Sequence, residues 1–196
     1  MVKKITSSKI IGIFLNDYNK RCYLRELASM LKKPHQTIKP HVEKLVKEGI
    51  LIKYKRENII DYSLNFKNKK IYDYLVMSEK ENLLDRLNED TLLNILFEKL
   101  SIFFKDNTFI IFGSAADKLQ KDSDIDLLII GKKDITKVLE EFEEIYNKTV
   151  HKIQVTDKAK LTPALIKEVY KKHLILNNTE EVIRFFGGLY EENKLV

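Results

Sequence analysis

Apolar residues in the first third of the chain recur at helical spacing three times: Ile10, Ile11, Phe14 and Leu15, then Leu24, Leu27, Ala28 and Leu31, then Ile38, Val42, Leu45 and Val46. Residues three and four apart share a helix face, so each set predicts an amphipathic helix with one buried stripe. Gly49 stands where a left-handed residue would close the third helix. Pro40 falls inside this third pattern; with Thr37 as N-cap it occupies the third helical position, in the first turn, whose amides lack intrahelical partners anyway. The period then drops to two. Ile52 and Tyr54 alternate with Lys53 and Lys55, Glu57-Asn58 supplies a turn, and Ile60, Tyr62 and Leu64 alternate on the return, which predicts a hairpin with a basic outer face.

Residues 67–89 contain no Pro or Gly and predict a helical connector, with Ser78 and Glu81 at capping-box spacing ahead of Leu83, Leu84 and Leu87. Leu92, Leu93, Leu96, Phe97 and Leu100 continue at helical period. Two short apolar runs then read as buried strands, Phe109–Phe112 and Leu127–Ile130. Val138, Leu139, Phe142 and Ile145 mark a helix, Val150 to Thr156 a third strand, and Leu165, Ile166 and Val169 another helix. Leu174 to Leu176 reads as a short edge strand, and Asn178 with Glu181 starts a last helix that the pair Gly187-Gly188 would end. The pattern is α/β in an α+β arrangement, a mixed sheet with flanking helices following a helix-and-hairpin module.

Composition narrows the classes. No apolar run approaches membrane-spanning length and the start lacks a signal-peptide core, so secretion and membrane association are not expected. Cys22 is the only cysteine, which excludes an intramolecular disulfide framework and a Cys-cluster zinc site and fits a cytoplasmic setting. His35, His41, His151 and His173 are scattered, with no zinc-pair spacing. Charge is unevenly placed: residues 1–75 hold 17 Lys/Arg against 7 Asp/Glu, whereas the rest hold 18 against 22. A basic module precedes a mildly acidic one, and a concentrated positive field attracts polyanions such as nucleic acid.

The candidate chemistry lies where the first strand ends. Gly113-Ser114 follows Phe112 directly, and Ser123-Asp124-Ile125-Asp126 opens the next strand. Side chains at i and i+2 of a strand project from one face, so Asp124 and Asp126 stand side by side with Ile125 turned away. Two adjacent carboxylates repel, and a hard cation such as Mg²⁺ makes the arrangement favourable through oxygen ligation shared with substrate phosphates. Gly113 lets a backbone approach a phosphate closely, and Ser114 adds a hydroxyl and an amide at a helix start.

Two resemblances gather these observations. The stretch from Leu24-Arg25-Glu26-Leu27-Ala28 through Leu45-Val46-Lys47-Glu48-Gly49-Ile50-Leu51, with the hairpin after it, resembles the winged helix-turn-helix family. That resemblance implies a domain at residues 1–66 that binds double-stranded DNA. Its third helix would present Gln36, Thr37, Lys39, His41 and Lys44 to the major groove, and Lys53, Lys55 and Arg56 would be wing contacts. A dimerising winged helix with a solvated basic face is the alternative, and two-fold symmetry is common for such readers, so a homodimer is among the expected partners. Gly113-Ser114 with Ser123-Asp124-Ile125-Asp126-Leu127 resembles the signature of nucleotidyltransferases related to DNA polymerase β, particularly their minimal single-domain branch.

This second resemblance implies a domain at residues 90–196 after the connector at 67–89. It implies a nucleoside triphosphate bound at Gly113 and Ser114, Mg²⁺ on Asp124 and Asp126 as catalytic and metal-holding residues, and nucleotidyl transfer to an acceptor. The family's frequent basic-then-Gly pair is missing after Ser114, so phosphate neutralisation falls to Lys118 or Lys121. The family also places a third carboxylate on a later strand. Here Val150 to Thr156 contains no acid; Asp157 lies just beyond, and His151 or Gln154 stands in its place. A fusion of this kind resembles prokaryotic regulators and antitoxin-like proteins, so the alternative to an enzyme is a non-catalytic transcriptional regulator whose second domain senses nucleotide or binds a protein partner.

Overall fold

A computed structural model describes residues 5–57, 59–120 and 123–195. The chain divides into two compact units: residues up to Glu81 joined by Ile183–Lys194, and Asn82–Val182. The sequence reading runs the second domain to residue 196, whereas the residues from Ile183 to Lys194 pack with the first unit.

The first unit begins with α1 (Ser7–Gly12), β1 (Cys22–Tyr23), α2 (Leu24–Met30) and α3 (His35–Lys47). It continues with β2 (Leu51–Arg56), β3 (Ile59–Leu64) and the first part of α4 (Ile71–Glu89). Thr6 caps α1 by accepting from the Lys9 amide, and Gly49, at φ 70°, takes the left-handed conformation after α3. The helical stripes converge: Ile10, Ile11, Phe14, Leu27, Ile38, Val42 and Leu45 are all buried. The strands form an antiparallel sheet in the order β1-β3-β2. The two-residue β1 is too short to leave a period in the sequence.

Three expectations need correction here. Helix α3 starts at His35 with Pro34 as N-cap, so Pro40 is its sixth residue rather than its third. The carbonyl that Pro40 leaves without an amide belongs to Gln36, an exposed residue whose oxygen water can serve. Ser78 does not begin a helix. It is buried in the middle of α4, with its hydroxyl 2.7 Å from the Tyr74 carbonyl and 2.8 Å from that of Ser8, while Glu81 accepts from the Thr6 hydroxyl at 2.9 Å. Gly187-Gly188 does not end the last helix, α9 (Thr179–Glu191), which runs through both. A Cβ on Gly187 would lie 2.3 Å from Tyr72 Cε1, so that glycine admits an aromatic ring instead of stopping a helix.

The second unit holds α5 (Thr91–Ser101), β4 (Asn107–Phe112), the four-residue α6 (Ser114–Asp117), β5 (Ile125–Gly131) and α7 (Thr136–Tyr146). After these come β6 (Val150–Val155), a 3-10 turn, α8 (Pro163–Lys171), β7 (His173–Ile175) and the start of α9. The sheet order is β6-β5-β4-β7, with β5 and β6 parallel and the other pairs antiparallel. The parallel pair is joined through α7, as the reach of a parallel crossover requires. Phe109, Ile111, Ile125, Leu127, Ile129 and Leu174 line one sheet face and bury against Leu93, Leu96 and Leu100 of α5 and Leu139 and Phe142 of α7. Asn177 closes the far end, accepting from the Phe109 amide at 2.8 Å and donating to the Asn107 carbonyl at 2.8 Å. This is the mixed, helix-flanked sheet that the sequence pattern predicts.

Candidate functional site

The antiparallel register pairs Phe112 with Asp126, so the end of β4 and the start of β5 lie together at one rim of the sheet. Gly113 follows β4 at φ 67°, ψ −148°, a conformation open to glycine, and its amide donates to the Lys172 carbonyl at 3.2 Å. A Cβ there would sit 2.6 Å from Asp126 Oδ2. The missing side chain therefore gives the carboxylate its room. Ser114 opens α6 and is exposed, and Lys118, exposed as well, is the C-cap of that short helix. Asp117 is engaged by Lys172 at 2.8 Å. Lys121 lies outside the described residues.

Asp126 is the second residue of β5 and Asp124 stands one residue before it. The parallel register sets His151 directly beside Asp126. The His151 ring lies across both acids, with Nδ1 3.6 Å from Asp126 Oδ1 and Nε2 3.8 Å from Asp124 Oδ2. Both separations exceed a hydrogen bond. The two carboxylates thus point to one place, and His151, rather than Gln154, occupies the neighbouring strand position. Gln154 is turned elsewhere and donates to the carbonyls of Gly131 and Lys133 at 3.1 Å. Asp157 caps the 3-10 turn by accepting from the Ala159 amide at 2.9 Å.

The side chains of Asp124 and Asp126 are 50% and 35% exposed, so an incoming group reaches them from solvent. Among the described residues no three His, Cys, Asp or Glu side chains form a group arranged to hold a metal ion. The pair with the glycine cradle nonetheless fits Mg²⁺, which is commonly held by one or two carboxylates and completed by water and substrate phosphate oxygens. Next to Asp124 opens a groove of 610 Å³ whose walls include Leu92, Leu119, Tyr146 and Lys148. Sequence reasoning passed over Lys148, because nothing in its local pattern marks a lysine for burial.

In the first unit, Gln36, Thr37, Lys39 and Lys44 lie exposed on α3 and His41 is half-buried, opposite the buried stripe of Ile38, Val42 and Leu45. Lys39 and Lys44 sit 3.8 Å from Glu43 and Glu48, one turn along. Lys53 and Lys55 are exposed on β2, while the Arg56 side chain lies outside the described residues. No described helix is long and apolar enough to cross a membrane.

Residues 98–181 match the family described as Polymerase beta, Nucleotidyltransferase. No curated protein matches the sequence. Among solved structures, a chain from a crystal structure of a toxin–antitoxin MntA-HpeT mutant aligns at 13% identity with a TM-score of 0.38, covering 52% of this chain and 88% of that one. The matched segment spans β4, Gly113-Ser114, the aspartate pair and β6. The likeness to the polymerase-β nucleotidyltransferases is thus a likeness of residues 98–181, the segment that holds the paired aspartates.

Proposed function

We propose that the protein binds a nucleoside triphosphate with Mg²⁺ in the second unit, transfers a nucleotidyl group from it, and contacts double-stranded DNA through the first unit. The observation that carries the chemical half is the convergence of Asp124 and Asp126 beside Gly113, inside the segment that matches the nucleotidyltransferase family. Asp124 and Asp126 hold the cation, which supplies neutralisation of the triphosphate's charge. Gly113 keeps the Asp126 carboxylate uncovered, and the exposed Ser114 hydroxyl and amide together with Lys118 receive phosphate oxygens. The test is incubation with Mg²⁺ and labelled nucleoside triphosphates beside the Asp124→Asn and Asp126→Asn variants. Release of pyrophosphate or labelling of an acceptor by the unaltered protein alone supports transfer, and identical background in all three rejects it.

A second reading follows from His151. An imidazole stands beside Asp126 on the later strand that, by the resemblance, would carry a third carboxylate, which favours a non-catalytic regulator that binds the nucleotide and adjusts DNA or partner binding. Equilibrium binding of nucleotide that the aspartate variants abolish, with no pyrophosphate released, is its signature.

The DNA half rests on three helices, a three-stranded antiparallel sheet and the basic surface of α3 and β2, which together fit a winged helix. Binding measured at two salt concentrations should fall steeply with salt. Replacing Lys53 and Lys55 with Ala should weaken all sequences alike and flatten that slope; a flat response in the unaltered protein rejects the proposal. A homodimer on a two-fold target is the form in which we expect such a reader to act.

A further inference from the structure

Lys148 is the only buried lysine among the described residues, 6% exposed. An ammonium group taken out of water is costly, and a lysine kept there against that cost is held by what it binds. Among its contacts, Nζ donates to the Gln120 carbonyl at 2.6 Å. The same carbonyl accepts from the Ser123 amide at 3.3 Å and lies 3.1 Å from the Ser123 hydroxyl, which in turn accepts from the Gln120 amide at 3.1 Å. Lys148 therefore holds the Gln120 carbonyl on which Ser123, the residue before Asp124, is seated. One residue beyond Asp124, the Ile125 amide donates to the carbonyl of Thr149, the neighbour of Lys148. Asp124 is thus bracketed on both sides by the dipeptide Lys148-Thr149, and on one of those sides the anchor is a buried charge.

We infer that Lys148 is a positioning residue: its ammonium holds the Gln120 carbonyl, to which Ser123 is bonded, and so sets where the Asp124 carboxylate stands relative to Asp126. The inference rests on the reading of the two aspartates as a cation site. Without the ammonium, the charged donor to the Gln120 carbonyl is gone, that carbonyl is left to Ser123 alone among the described contacts, and Asp124 no longer meets a cation in a fixed position.

The test is Mn²⁺ binding without nucleotide, followed by electron paramagnetic resonance, in the full chain and in Lys148→Met, Lys148→Arg, Ser123→Ala and Asp124→Asn. Urea unfolding of each is measured in parallel. Lys148→Met should weaken Mn²⁺ about tenfold, with the unfolding curve showing that the protein remains folded. Lys148→Arg should restore part of the affinity. Ser123→Ala should weaken binding in the same direction, and together with Lys148→Met by less than the product of the two, since both act on one carbonyl. Unchanged affinity in both Lys148→Met and Ser123→Ala overturns the positioning role while leaving the aspartate pair intact. If Lys148→Met folds poorly, the Ser123→Ala result decides by itself. Absence of Mn²⁺ binding that Asp124→Asn removes overturns the cation site and this inference with it.

Discussion

Gly113→Ala separates two effects that the structure superimposes on one position. The backbone at φ 67°, ψ −148° is nearly reserved for glycine, and holding alanine there costs about 1–3 kcal/mol. The added Cβ also lands 2.6 Å from Asp126 Oδ2 and 3.6 Å from its Cγ. The Asp126 side chain is 35% exposed, so it can swing away rather than strain the core. The overlap should then appear as a displaced carboxylate and the backbone strain as lost stability. We expect urea unfolding to show a loss of about 1–3 kcal/mol, and Mn²⁺ affinity to fall about tenfold, or about 1.4 kcal/mol. A cycle with Asp126→Ala sharpens this. That change removes the overlapping Oδ2 together with Cγ and leaves only Cβ, 3.9 Å away at ordinary contact, so Gly113→Ala should cost the same in either background to within about 0.5 kcal/mol. Unchanged stability together with unchanged Mn²⁺ affinity in Gly113→Ala would refute the cradle. A coupling well above that limit would show that the carboxylate cannot move as its exposure implies.

The neighbouring glycines of α9 should respond with opposite signs. Gly188→Ala meets nothing within 4 Å and should stabilise by about 0.5–1 kcal/mol through helix propensity, whereas Gly187→Ala drives a methyl into the buried Tyr72 ring and should lose about 1–3 kcal/mol to overpacking, partly offset by the same propensity; thermal unfolding of the pair checks this. Tyr74 donates to Glu48 at 2.6 Å, and that hydrogen bond, with burial second, pushes its phenol up to about 12. A folded-state value above the unfolded one means that the contribution is complete below about pH 10 and disappears as pH rises through 12, so the Tyr74 phenol should resist ultraviolet titration at pH 11, alongside the other raised phenols of Tyr62, Tyr72 and Tyr190, and Glu48→Gln should free one additional phenol at that pH. Burial pushes the Cys22 thiol up, so alkylation of the native protein at pH 8 should be slow and should become fast in urea; rapid native labelling would contradict the packing around β1.

Periodicity and local chemistry made most of the elements legible, because each helix and strand buries one regular stripe. The two aspartates were legible from the alternation of strand faces, although Asp124 stands one residue before β5 begins. What escaped the sequence depends on contacts distant in the chain. Glu81 looked like a capping partner for Ser78, but Thr6, 75 residues earlier, donates to it. Gly187 looked like a terminator until Tyr72 explained it. His151 and Gln154 were equal candidates beside the acids, and only the register of β6 against β5 separates them. Pro34 offers no side-chain cap, so the true start of α3 left no local mark.

Tyr190, near the end of α9, packs against Phe66 at a tilt, 4.4 Å between ring centroids, and meets Tyr18 edge-on at 5.7 Å, all within the first unit. Those rings are separated by well over a hundred residues of chain that include the whole sheet of the second unit. The amino-terminal module therefore cannot finish its aromatic cluster while the ribosome is still making the middle of the protein. Its last packing step waits until α9 has been made, and a fragment cut at Glu81 should emerge with Tyr18 and Phe66 lacking the cover of Tyr190 and prone to aggregate.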